Sequence, residues 1–141
     1  MYTVKQVSEL LEMNPHTVRF YTDNDLIPNL KRGKNNVRLF DEEAVNWLTG
    51  VKVLRECGMT LDAIKRYVDL CLIGEAALPE RIEIVREQQA RVNEEIEKLQ
   101  KCSAYLSDKL DFYQRLQTGE EEVDRTDPGQ WSKEPAKIAN I

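Results

Sequence analysis

The strongest constraint on this chain is a run of apolar residues at alternating steps of four and three. It reads Leu78, Ile82, Val85, Val92, Ile96, Leu99, Leu106, Leu110 and Tyr113, with only Gln89 and Ser103 interrupting as polar heptad positions. A repeat sustained this long predicts one helix from about Leu78 to Leu116 carrying the seam of a coiled coil. At about 1.5 Å per residue such a helix extends roughly 58 Å. Nothing else in a chain of 141 residues is large enough to cover its far half. A second copy is required, so a homodimer is expected.

That length suits one compact domain plus an extension. No stretch approaches the roughly 20 apolar residues that span a bilayer. The opening MYTVKQVSELLEM is amphipathic and contains acids, unlike the apolar core of a secretory signal. A cytoplasmic location and no membrane partner are expected. Cys57, Cys71 and Cys102 are scattered without a CxxC pair and read as free thiols. There is one histidine, no glycine-rich phosphate loop and no nucleophile beside a base, so neither enzymatic activity nor a cofactor is expected.

The N-terminal third is built from short helices with clear start signals. Thr3 and Gln6 form a capping box ahead of Val4, Val7, Leu10 and Leu11 at helical spacing. Asn14-Pro15 then supplies an N-cap followed by proline at the first helical position. A second helix therefore starts after a very short turn and runs from about Pro15 to Asp23. Two short helices joined this tightly outline a helix-turn-helix. Val18 is expected to face inward, with His16, Thr17, Arg19 and Phe20 on the opposite side. A polar, cationic and aromatic face suits a recognition helix in a major groove; an ordinary solvated face is the alternative.

Residues 29–40, NLKRGKNNVRLF, break the helical pattern. Gly33, Asn35 and Asn36 are turn formers, whereas Val37, Leu39 and Phe40 have strand character. We expect a small hairpin, or wing, carrying Lys31, Arg32, Lys34 and Arg38. Such a loop can lay cations on phosphates beside the groove, although a merely solvated basic loop would look similar. The net charge of −5 does not oppose this. Lys5, Arg19, Lys31, Arg32, Lys34 and Arg38 outnumber Glu9, Glu12, Asp23 and Asp25 in residues 1–40, which carry +2 against −7 for the remainder. Fields beyond a Debye length of about 8 Å are screened, so a local basic patch can still bind phosphate.

Asp41 is expected to cap a third helix with an inward stripe of Ala44, Leu48, Val51 and Leu54, stopped by Gly58. Thr60 caps a fourth, whose buried row would be Leu61, Ile64, Val68 and Leu72, and Gly74 ends it. Trp47 and Tyr67 read as core filling. Beyond Thr118 the chain is polar and broken by proline and glycine, which predicts a mostly disordered tail; Trp131 and the final Ile-Ala-Asn-Ile could dock at a place the sequence does not reveal. The expected organisation is a DNA-binding domain with a helix pair over 1–75, a dimerisation helix over 76–117 and the tail over 118–141.

The segments TVRFYTDNDLIP at 17–28, VRLFDEEAV at 37–45 and VLRECGMTLDAIK at 53–65 together resemble the MerR family of transcription regulators, over roughly residues 2–115. The resemblance implies a mainly α fold, a winged helix-turn-helix joined to an antiparallel two-stranded coiled coil. It places Thr17, Arg19 and Tyr21 in the recognition helix, Arg32 and Arg38 in the wing and Arg55 near the DNA backbone. Phe20 departs from the family's usual tyrosine and lacks the hydroxyl that would reach a phosphate. Together with His16, Lys31, Lys34 and Asn36, these residues form the expected DNA contact set. The implied partners are double-stranded promoter DNA and RNA polymerase, and the implied mechanism is distortion of a pseudo-palindromic promoter element. An interaction adaptor that kept the coiled coil without binding DNA is the alternative; it would not need Arg19, Arg32 and Arg38.

Metal-sensing members carry a cysteine pair after the dimerisation helix, whereas Gln117–Trp131 holds neither cysteine nor histidine. A soft metal needs such ligands, so no metal is expected. The polar tail is too short for a folded drug-binding domain. What remains is similar to the aldehyde- or thiol-responsive branch, with Cys57 as the candidate sensor near Arg55 and a helix start. A buried cysteine filling the helix junction is the alternative.

Overall fold

A computed structural model describes residues 1–130 and divides the chain into two compact units, Met1–Asn93 and Glu94 onward. The residues beyond 130, including Trp131 and the C-terminal Ile-Ala-Asn-Ile, lie outside the described residues. In the first unit, helix α1 (Val4–Leu10) and helix α2 (Pro15–Asp23) precede strands β1 (Lys31–Arg32) and β2 (Arg38–Leu39), then helices α3 (Glu42–Glu56) and α4 (Leu61–Ile73). Helix α5 spans Leu78–Thr118, 41 residues. None of the helices in the described residues is long and apolar enough to cross a membrane.

Each expected cap is present. Thr3 and Gln6 exchange bonds across the first turn of α1, Asn14 accepts from the His16 N–H, Asp41 from Ala44 and Thr60 from Ala63. These side chains satisfy backbone donors that a helix start leaves open. The helix ends share a device the sequence did not announce. After α1, the Glu12 N–H bonds to the Glu9 carbonyl and Met13 to Ser8. After α2, Asp25 bonds to Thr22 and Leu26 to Tyr21; after α3, Gly58 bonds to Arg55 and Met59 to Leu54. This is the Schellman pattern, and it requires a left-handed residue just past the helix. Gly58 takes that position freely at φ 88°, but Glu12 and Asp25 hold it at 53° and 56°. In each case the following residue, Met13, Leu26 or Met59, drops onto the core.

That core unites Val4 and Val7 of α1, Val18 and Tyr21 of α2, Phe40, Ala44, Leu48 and Val51 around α3, and Ile64 and Val68 of α4. Trp47, Leu54, Leu61 and Tyr67 pack at its margin, as does Ile84 of α5. Leu72, expected in the buried row of α4, is instead exposed, and Leu70 is buried in its place. At 100° per residue Leu72 stands about 80° round the helix from Ile64, so the row has drifted off the buried face by this turn. Strands β1 and β2 pair antiparallel, Lys31 opposite Leu39 and Arg32 opposite Arg38, and Tyr2 bridges to Phe40 at their edge.

Most heptad residues of α5 are left uncovered by the described residues of one chain. Leu78, Ile82 and Val85 in the first unit, and Ile96, Leu99, Leu106 and Leu110 in the second, are all about half exposed or more. In the second unit the chain past α5 is not featureless. The Glu120 and Glu121 N–H groups bond to the Arg115 carbonyl, the Tyr113 hydroxyl donates to Thr126 Oγ1 at 2.8 Å, and the Arg125 guanidinium lies 4.1 Å from the ring centre of Phe112. Phe112, which the heptad reading passed over, is buried by this return. Glu120, Glu121, Arg125 and Thr126 thus have partners on the last turns of α5.

Candidate nucleic-acid interface

Helix α2 is nine residues long, so at 100° per residue two and a half turns divide cleanly into two faces. Val18, Tyr21 and Thr22 are buried at i, i+3 and i+4. His16, Arg19 and Phe20 are exposed on the other side, with Thr17 half-buried between the faces. Tyr21, expected among the groove residues, lies on the buried side of α2, 7% exposed. Its spacing from Val18 places it inward, whatever its hydroxyl suggests. The Phe20 and Tyr21 rings stand 6.3 Å apart and tilted, Phe20 outward and Tyr21 inward.

The wing turns through Lys34–Asn36, and the Val37 N–H closes the turn on the Lys34 carbonyl at 3.3 Å. Asn35 and Asn36 both sit at positive φ, near 59° and 58°, a region asparagine tolerates better than other non-glycine residues. A Cβ at Gly33 would lie 2.8 Å from Leu39 Cδ1, so a larger residue there would need the end of the Leu39 side chain to shift. Lys31, Arg32, Lys34 and Asn36 are exposed, and Arg38 is partly buried.

The cations of this region are not equivalent. Lys31 Nζ pairs with Asp41 Oδ2 at 2.9 Å, and Arg38 Nη2 with Asp23 Oδ1 at 2.6 Å. Arg32 donates to the Asn36 carbonyl at 3.3 Å. The Asp41 carboxyl, accepting from the Ala44 N–H and then from Lys31, is held below its ordinary value of 3.8. Arg55, expected near the DNA backbone, is exposed, but its Nη1 donates to the Met59 carbonyl at 2.7 Å. It closes the α3–α4 turn. The acids Asp23 and Asp41 belong to this surface through their pairs with Arg38 and Lys31, which charge counting does not reveal. Asp23 carried a signal: an acid on the last residue of a helix opposes the helix dipole, so its place needs another explanation.

The three cysteines differ in exposure. Cys57 is exposed, so it does not fill the helix junction, and Cys102 is exposed as well. Cys71 is half-buried and lines a cavity of about 360 Å³ with Trp47, Gly50, Leu54 and Tyr67. Burial, then the neighbouring Cys71, pushes the Tyr67 hydroxyl above its ordinary value of 10.0. Among the described residues no group of three or more His, Cys, Asp or Glu is arranged to hold a metal ion.

Comparison with known proteins converges on one group. The model of the MerR HTH family regulatory protein matches residues 2–71, and a second, described as MerR, DNA binding, matches residues 45–109. An uncharacterised HTH-type transcriptional regulator of Haemophilus influenzae is 32% identical over 114 residues, 81% of this chain and 84% of that protein. The HTH-type transcriptional regulator AdhR of Bacillus subtilis is 29% identical over 91 residues, 64% of this chain and 65% of its own. Among solved structures, HiNmlR, a MerR family regulator lacking the sensor domain and bound to promoter DNA, superposes with a TM-score of 0.76. It is 30% identical, and the match covers 85% of this chain and 91% of that one.

Proposed function

The chain belongs to the MerR family of DNA-binding transcription regulators, and on that premise we propose that it acts as a homodimer on a pseudo-palindromic promoter element. The recognition helix α2 would enter the major groove with His16, Arg19 and Phe20, and Arg32, Lys34 and Asn36 of the wing would meet phosphates alongside. The observation that carries this reading is the outer face of α2. Its cation and aromatic ring are exposed although the helix's apolar side is fully used by the core. Half-exposed heptad residues along α5 support dimerisation, since unsupported apolar rows of this kind are covered in coiled coils by a second helix. An adaptor role without DNA leaves the exposed Arg19 and Arg32 unexplained.

By analogy with its family, the dimer would distort the promoter so that RNA polymerase can use it, in a cytoplasmic setting. Such deformation costs on the order of several kcal/mol, supplied by added protein contacts. The exposed thiol of Cys57 is the proposed sensor for an electrophile. The test is to sequence genomic fragments retained by the purified protein and footprint the enriched site. We expect a two-fold-related site, and Arg19→Ala to lower its preference over random duplex by about 1–3 kcal/mol. Retention of fragments without any shared sequence would refute specific recognition.

A further inference from the structure

Asp23 is the last residue of α2, where the partial negative charge of a helix end disfavours a carboxylate. What it touches explains its presence. Its Oδ1 accepts from Arg38 Nη2 at 2.6 Å, tying the recognition helix to the second strand of the wing. Arg38 faces Arg32 directly across the ladder, and like charges opposite one another on one face of a strand pair repel. Asp23 offsets that repulsion by engaging one of the two guanidinium groups.

The two arginines are also buried unequally. The Arg38 side chain is 24% exposed, and its Nε is shielded without a hydrogen-bond partner. A guanidinium so enclosed, with a carboxylate already on one of its terminal nitrogens, is poorly placed to displace counterions from a phosphate. Arg32 is exposed, and its contact with the Asn36 carbonyl is long at 3.3 Å. Reorientation toward an incoming phosphate would sacrifice little.

We propose that Asp23 is a positioning residue for DNA recognition, holding Arg38 as a clamp between α2 and the wing and leaving Arg32 as the wing's phosphate ligand. The clamp sets the angle between the part that reads bases and the part that grips the backbone. This rests on the DNA-binding reading above. It departs from the sequence expectation that Arg32 and Arg38 do the same work.

The experiment measures the binding of the full-length protein to two probes across a salt series. One is a random-sequence duplex, and the other is a duplex that the protein itself selects from a random pool. Arg32→Gln should lower the slope of log affinity against log salt by about 0.9, one released phosphate contact. Arg38→Gln should leave the slope unchanged but reduce the ratio of selected to random affinity about tenfold, as for residues coupled in one network. Asp23→Asn should reduce that ratio equally, and the double variant should lose no more than either single one. A slope lowered by about one in Arg38→Gln would overturn the clamp, as would tighter binding of both duplexes by Asp23→Asn. Asp23→Asn keeps the side chain's size on an exposed helix end, so its arm decides by sign even if Arg38→Gln does not fold. Failure of the unaltered protein to bind either duplex would instead remove the DNA-binding reading on which the clamp depends.

Discussion

The side-chain amide of Gln88 on α5 donates a 2.7 Å hydrogen bond to the backbone carbonyl of Cys57 at the end of α3. That carbonyl belongs to the group a helix C-terminus leaves without intrahelical partners, so Gln88 completes the cap from another helix. The Cys57 sulfur is exposed, and an adduct there would not crowd a packed junction. It would add bulk beside this one hydrogen bond. Native-state alkylation followed by mass spectrometry should therefore modify Cys57 faster than Cys71, and Gln88→Ala should lower stability by about 1 kcal/mol. Equal labelling of the two thiols would contradict the placement of Cys57.

Dimerisation through α5 predicts a sharp response to charge on its seam. Ile96 and Leu99 are roughly half exposed in the single chain, and a second helix would bury both. Ile96→Glu with Leu99→Glu should yield monomers or unfolded protein in sedimentation experiments. A folded dimer carrying both changes would place the interface elsewhere.

Glu12 holds the left-handed position of the helix-turn-helix turn at φ 53°. An L residue with a side chain is strained there by about 1 kcal/mol relative to glycine. Glu12→Gly should raise the midpoint of urea unfolding, offset in part by the looser unfolded chain. A lower midpoint would show that the Glu12 side chain contributes an interaction outweighing the backbone strain.

Asp41 gives the first unit a defined acid dependence. Its folded carboxyl titrates below the ordinary value because it accepts the Ala44 N–H and pairs with Lys31. A depressed folded value means stability present above the unfolded value near 3.8 and lost as pH falls through the folded one. Asp41→Asn keeps a cap acceptor but removes the charge. Unfolding followed from neutral pH down through the carboxylate range should therefore be less steep at its acid end for the variant. An unchanged acid limb would assign the loss to other carboxylates.

Much of this fold was legible because its signals are local. Thr3, Asn14, Asp41 and Thr60 each announce a helix within three residues, and the spacing of Leu78 through Tyr113 announces a long one. The wing was legible from Asn35 and Asn36, which tolerate the left-handed backbone its tight turn demands. The readings that differ fall where packing, and not residue type, decides. Tyr21 carries a polar tip suited to a groove, but its spacing from Val18 turns it inward. Arg38 looks interchangeable with Arg32 until Asp23 is seen beside it. Leu72 continues the heptad-like row of α4 by arithmetic, yet by that turn the row has drifted off the buried face. Phe112 falls off the seam and is buried only because Arg125 returns over it.

The shared ending of α1, α2 and α3 has a consequence for how the first unit moves. Helix ends normally fray on their own, since opening a terminal turn exposes little. Here each end is stitched to a side chain seated on the core, through Met13, Leu26 and Met59. Loosening any of these turns lifts a core residue into water, so the ends can open only with the interior. Amide exchange at Met13, Leu26 and Met59 should accordingly run near the slow rate of the helix centres, and the whole unit should open as one cooperative event.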